Sequence, residues 1–197
     1  MQDVDNDGAT WKILSLLLMY PADPEFHNVL EDAADWATDL GDVTLARLVR
    51  DFLQIDTSGL AEEYCRYFDF QSRTSLHLTA HELGDDRKRG VALLALRRML
   101  TTTGFVQQTS ELPDYLPLLF EFLAAKPEGI PTEDLELRLA RVCRVILNEL
   151  PRESVYHGVF QMAVDILPNA TVPSGSTIFT GFDKANIDDA PYPVFYD

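Results

Sequence analysis

Residues 111–125 read Glu-Leu-Pro-Asp-Tyr-Leu-Pro-Leu-Leu-Phe-Glu-Phe-Leu-Ala-Ala. Leu112, Leu116, Leu119, Phe120 and Leu123 recur at helical spacing, and Leu118 and Phe122 cover a second face. The spacing predicts a helix over Leu112 to Ala124. A helix apolar on two faces is either buried on both sides or forms the wall of a groove for a partner.

Working outward, the rest of the chain is also helical in pattern. Trp11 to Tyr20 is a short apolar helix closed by Tyr20-Pro21. Asp23 and Pro24 supply a cap and a first-turn proline for a second helix running to about Leu40, broken by Gly41-Asp42. A third covers Val43 to Leu53, with Leu45, Leu48, Val49 and Phe52 as its stripe, and a fourth covers Thr57 to Phe68. In Ser75 to Ala80 the alternation of Leu76 and Leu78 is strand-like, but with no evident partner strand a helical or irregular inward-facing segment is expected. Gly84 to Arg89 is a charged turn or a helix start. The helix after it, to about Thr102, carries Ala92, Ala95, Leu96 and Met99 on one side and Leu93, Leu94 and Leu100 elsewhere, so it is expected to be central. Residues 127–131 form a linker. Glu133 and Asp134 then open a helix to Leu147 with Leu135, Leu139, Val142 and Ile146 inward, their charge matched to the positive helix end. A last helix over Arg152 to Leu167 is expected to bury Val155, Val159, Met162 and Ile166. The whole predicts an all-α, single-domain bundle over residues 1–167. Residues 168–197 are then an extended or mobile tail with Phe182, Tyr192, Phe195 and Tyr196 as possible anchors.

A chain of 197 residues suits one core. Its charge is the unusual property: 32 acidic against 16 basic residues give −16, with only four lysines and twenty aspartates. Such a surface disfavours nucleic acid and anionic membrane and attracts basic peptides. Dense carboxylates equally suit solubility at high salt. Cys65 and Cys143 lie in apolar helical patterns and read as free thiols. Met1 to Thr10 is acidic and lacks a positive leader region, and Ile13 to Met19 is too short to span a membrane, so a soluble cytoplasmic protein is expected.

Chemistry-bearing sets are incomplete. His77 and His81, four apart, would share a helix face, with Glu82 adjacent. The hydrolytic zinc pattern needs Glu directly after the first His, where this chain has Leu78. Ser72, Ser75 and Thr79 lack a nucleophile elbow, and the glycines form no phosphate-binding loop. Glu111 and Asp114, three apart, fit capping or partner binding better than acid–base work. Arg87, Lys88 and Arg89, with Arg97 and Arg98, make a basic patch without the aromatic interleaving of a nucleic-acid footprint. Such a patch serves either to pair with Asp85, Asp86 and nearby helices or to anchor a carboxylate, phosphate or backbone carbonyl, as Arg73 can also do. No catalytic or metal site is expected.

Several ordered pieces carry a resemblance. Tyr67-Phe68-Asp69 is followed by Arg73, Ser75-Leu76 and Leu78-Thr79; then come Gly84-Asp85, Arg87, Arg89-Gly90, Glu111 to Leu118 and Glu121-Phe122. With the Leu14 to Pro21 run and Tyr192-Pro193, this set resembles the assembly chaperones of respiratory molybdenum oxidoreductases. It is most similar to the nitrate reductase delta-subunit group, within the family that includes chaperones of trimethylamine-oxide and dimethyl-sulfoxide reductases. In the wider family His often follows the Pro-Asp pair; here the residue is Tyr115, which favours the nitrate reductase branch.

The resemblance implies an all-helical redox-enzyme maturation fold, monomeric or weakly dimeric, with no catalytic activity and no cofactor of its own. It implies binding of a catalytic subunit, commonly at that subunit's N-terminal segment, to hold it open for molybdenum-cofactor insertion. The client is then a nitrate reductase, or else a dimethyl-sulfoxide, chlorate or selenate reductase. A structural adaptor retained between enzyme subunits is the alternative class. The residues expected to meet the partner are Arg73, His77, Asp85, Arg87, Arg89, Glu111, Asp114, Tyr115 and Glu121, over an apolar floor of Leu116, Leu119 and Phe120.

Overall fold

The computed structural model describes residues 2–22, 25–107 and 110–169, and of residues 2–6 the backbone alone. Among them are nine α-helices: α1 Gln2–Leu17, α2 Phe26–Asp39, α3 Val43–Leu53, α4 Thr57–Tyr64, α5 Leu78–Leu83, α6 Lys88–Thr102, α7 Leu116–Ala125, α8 Glu133–Glu149 and α9 Val155–Ile166. The Asp23-Pro24 cap and nearly all of the tail lie outside the described residues.

Local chemistry accounts for several ends. Asp42 accepts from Leu45 N at 2.9 Å and Asp56 from Gly59 N at 2.7 Å, capping α3 and α4. Ser154 does the same for α9 through Tyr156 N. Pro117 sits in the first turn of α7, where its missing N–H costs nothing. Gly84 closes α5 at φ +55°, a conformation that a side chain would strain.

Helix α7 is the centre of the molecule. Leu116 to Phe120, Phe122 and Leu123 are all buried, so the two apolar faces mean burial on both sides. Helix α1 packs along it: Trp11 meets Phe120 with ring centroids 4.9 Å apart, and Ser15 Oγ donates to Pro117 O at 2.7 Å. Helices α2 and α3 pack on each other as a second layer, and α8 with α9 as a third. Where the layers meet, Tyr156 stands edge-on to Phe52 (5.3 Å) and Phe68 (4.9 Å). Burying such aromatics and aliphatics is the dominant stabilising term.

Five expectations change. Helix α1 begins at Gln2, well before Trp11. Helix α7 begins at Leu116, because Leu112 lies in a turn and is 40% exposed. Helix α6 is peripheral: only Ala92, Leu96 and Leu100 are buried, and its main packing neighbour is α5. Helix α9 is rotated from the expected stripe and buries Tyr156, Val159, Phe160 and Ala163, because the aromatic rings gain more from burial than Met162 or Ile166. The fourth helix does not run straight to Phe68. After Tyr64 it widens into a π turn over Cys65–Asp69, and the Thr74 hydroxyl donates to Tyr67 O beneath it. Both cysteines are free, as expected; burial pushes the Cys143 thiol up to about 12.

Candidate functional site: a buried polar node beside an apolar groove

The alternating segment before α5 does have a partner. His77 and Tyr115 form a single antiparallel bridge, with Leu78 N donating to Asp114 O (2.9 Å) and Leu116 N to Leu76 O (2.8 Å). This bridge delivers Asp114, at 0% exposure, into a ring of donors. His77 Nδ1 lies 3.2 Å from Oδ1; an ionised carboxylate only accepts, so this nitrogen carries the hydrogen. Thr79 gives Oδ2 both its backbone N–H (3.2 Å) and its hydroxyl. The Arg89 guanidinium stands 3.6 Å from Oδ2 and also donates to Thr79 Oγ1 at 3.1 Å. Burial alone would raise the Asp114 pKa; the His77 and Thr79 hydrogen bonds and the His77 and Arg89 charges outweigh it and hold the carboxyl below its ordinary value.

Above the node, Tyr115 stacks obliquely on His77 (5.6 Å), meets the Tyr64 hydroxyl at 3.0 Å and reaches Leu18 O at 3.5 Å. Burial raises the pKa of both Tyr64 and Tyr115, so both stay neutral donors. A second buried link stands behind. Arg138 of α8 grips Glu82 of α5 with two bonds, Nε–Oε1 2.8 Å and Nη2–Oε2 2.7 Å, both side chains almost wholly buried.

His81 does not share a helix face with His77, because α5 starts at Leu78 and His77 belongs to the bridge. The His81 Nε2 donates to Ser75 O at 2.7 Å, and burial lowers its pKa. Among the described residues no three His, Cys, Asp or Glu gather as metal ligands.

The expected site residues therefore divide. His77, Arg89, Asp114 and Tyr115 do come together. Arg73 lies elsewhere, paired with Glu149 at the end of α8 (2.7 Å), and Asp85 and Arg87 are exposed at the start of α6. Leu116, Leu119 and Phe120 are each 0% exposed, so they cannot floor an open groove: α1 covers them. Truncating the ring in Phe120→Leu is expected to lower stability by about 1–2 kcal/mol in urea unfolding, as loss of packed core volume does.

The accessible groove lies one face away. Leu16 of α1, Met19 just beyond its end, Leu118 of α7, and Phe105 and Val106 form its wall, with Glu121, paired to Lys12, on the rim. Its volume is about 360 Å³. It shares Phe105, Val106 and Gln107 with a neighbouring hollow of about 430 Å³ that ends at Glu111. Val106 is 77% exposed and Met19 47%, which leaves apolar surface uncovered. Sequence reasoning missed Thr79 as a donor, the Glu82–Arg138 link and this wall. The only available signal was an arginine, Arg138, on the otherwise apolar side of α8.

The buried carboxylates that tie elements together thus stand beside an open apolar groove in an all-helical protein. Its fold is that of the helical redox-enzyme maturation proteins. A crystal structure from Archaeoglobus fulgidus, described as a redox enzyme maturation protein, superimposes with a TM-score of 0.62 over 80% of this chain and 91% of that one, at 21% identity. Residues 31–155 match the nitrate reductase delta subunit family, and the chain belongs to that family. A Bacillus subtilis protein described as a probable nitrate reductase molybdenum cofactor assembly chaperone, NarJ, is 30% identical over 167 residues, 83% of this chain and 90% of its own length. The Escherichia coli NarJ assembly chaperone is 32% identical over 148 residues, 75% of this chain and 61% of its own length. The sequence resemblance is thereby borne out, as is the all-α fold. Among the described residues no helix is long and apolar enough to cross a membrane.

Proposed function

We propose that this chain is a cytoplasmic, non-catalytic assembly chaperone for the catalytic subunit of a nitrate reductase, which it holds competent for molybdenum-cofactor insertion. The family and the functions named for its relatives support this reading. The structural observation that carries it is the uncovered apolar groove along α1, Leu118 and residues 105–106, bounded by Glu111 and Glu121. An amphipathic N-terminal segment of the client lays its apolar face on Met19 and Val106, and its basic residues meet the carboxylate rim. The node at Asp114 acts behind this surface: it fixes the start of α7 and hence the groove wall.

Titration calorimetry with the client's N-terminal peptide tests the placement. Met19→Asp combined with Val106→Asp is expected to weaken binding at least tenfold, because exposed anchors carry most of the affinity. Phe120→Leu should leave it within twofold, its effect falling on stability. Equal affinity for wild type and the double variant would remove the groove from consideration. An adaptor would persist in the purified mature oxidoreductase in stoichiometric amount; a chaperone leaves it. Co-purification with mass identification of the bound protein separates a nitrate reductase client from a dimethyl-sulfoxide, chlorate or selenate reductase.

A further inference from the structure

Two helices leave part-apolar faces uncovered, and the charges on those faces are opposite. On α6 and the residue before it, Arg87, Val91, Leu94 and Arg98 follow at spacings of four, three and four, opposite the buried Ala92, Leu96 and Leu100. On α2, Val29, Asp32, Trp36 and Asp39 follow at three, four and three, away from the buried Leu30, Ala33 and Ala37. Val91 is 39% and Leu94 52% exposed, Val29 43% and Trp36 42%. Among the described residues none of Arg87, Arg98, Asp32 and Asp39 joins an ion pair. One face thus sets two aliphatic side chains between arginines, and the other sets an indole between carboxylates. They do not pack on each other within one molecule, where the main neighbours of α2 are α3 and α1 and that of α6 is α5.

We propose that a second copy of this chain covers them: α6 of one molecule lies along α2 of another, with Trp36 over Val91 and Leu94 and the two aspartates meeting the two arginines. The spacings agree. Asp32 and Asp39 lie about 6 and about 4.5 Å along the axis on either side of Trp36, and Arg87 and Arg98 about 8 Å on either side of the midpoint between Val91 and Leu94. An arginine side chain closes the remaining gap in either helix direction, and a guanidinium beside the indole adds a cation–π contact. Charge selects the occupant. On a chain of net charge −16 the α6 face is a basic exception, so the unlike faces attract while the molecules as a whole repel. The association is therefore weak and appears at high protein concentration. It uses none of the residues that line the groove along α1, and so stands independently of the client.

Sedimentation velocity of the full chain at rising concentration, joined to zero-length carbodiimide coupling read by peptide mass mapping, tests this. The wild type is expected to self-associate reversibly. Lys88 borders the α6 stripe and is expected to form an amide with Asp32 or Asp39 of another molecule, so a mixture of heavy-isotope and unlabelled protein yields linked peptides of mixed label. Arg87→Asp/Arg98→Asp and Asp32→Arg/Asp39→Arg should each weaken self-association by roughly tenfold or more. Mixing the two variants should restore it, since each supplies the charge that the other now needs. The label-mixing result on the wild type keeps the test decisive should a variant misfold. A wild type that stays monomeric at every concentration, association that survives either reversal, or linked peptides of a single label only overturns the proposal.

Discussion

Asp114→Ala is expected to destabilise the fold by about 3–5 kcal/mol, the typical result of removing one partner from a buried charged cluster. The methyl group would leave Arg89 beside a buried pocket without its counter-charge, and would strip Thr79 N–H and the His77 ring of their acceptor. Because total stability of such domains is about 5–15 kcal/mol, the variant should approach half-unfolding at modest urea. Asp114→Asn, which keeps the shape and one acceptor, should cost about half as much. A distinctive pH dependence follows. The folded pKa of Asp114 is depressed, so the stability it contributes is fully present above the ordinary aspartate range. That contribution is lost as pH falls through the lowered folded value. Urea midpoints measured from pH 6 down to pH 2.5 should fall more steeply for the wild type than for Asp114→Asn. Parallel curves would mean that the carboxylate is not ionised in its ring of donors.

Glu82→Ala is the second large effect, also about 3–5 kcal/mol, since it leaves the Arg138 guanidinium charged and buried. Here the double variant is the informative one. Glu82→Leu/Arg138→Leu removes both charges together and should be more stable than either single variant, because each single variant leaves one buried charge without this counter-charge. A cycle of the four proteins by chemical denaturation should give a coupling of about 2 kcal/mol or more. Additive losses would show that solvent reaches the pair. The link fixes α5 to α8, and through α5 it holds Thr79 against Asp114, so both variants should also loosen the wall made by α7.

Legibility of the fold varied with the kind of interaction. The stripe of α8 (Leu135, Leu139, Val142, Ile146) follows from spacing, and the structure keeps it. The stripe of α9 does not follow. Val155, Met162 and Ile166 have the right period, but the energetic preference of Tyr156 and Phe160 for the aromatic cluster turns the helix. Helix α6 misled for a similar reason: leucines all round a helix imply burial only where neighbours exist, and α6 has little more than α5.

The candidate site divides in the same way. His77, Arg89, Asp114 and Tyr115 were identifiable as polar residues set among apolar ones. Their mutual contacts needed the bridge between residues 77 and 115, a pairing of two residues that no periodicity announces. The sequence alone determined helical class, family membership and an acidic surface, because these depend on composition, local spacing and ordered motifs. Only the tertiary structure decided that Leu116, Leu119 and Phe120 belong to the core and that Met19 and Val106 face solvent, because exposure depends on which helix lies against which.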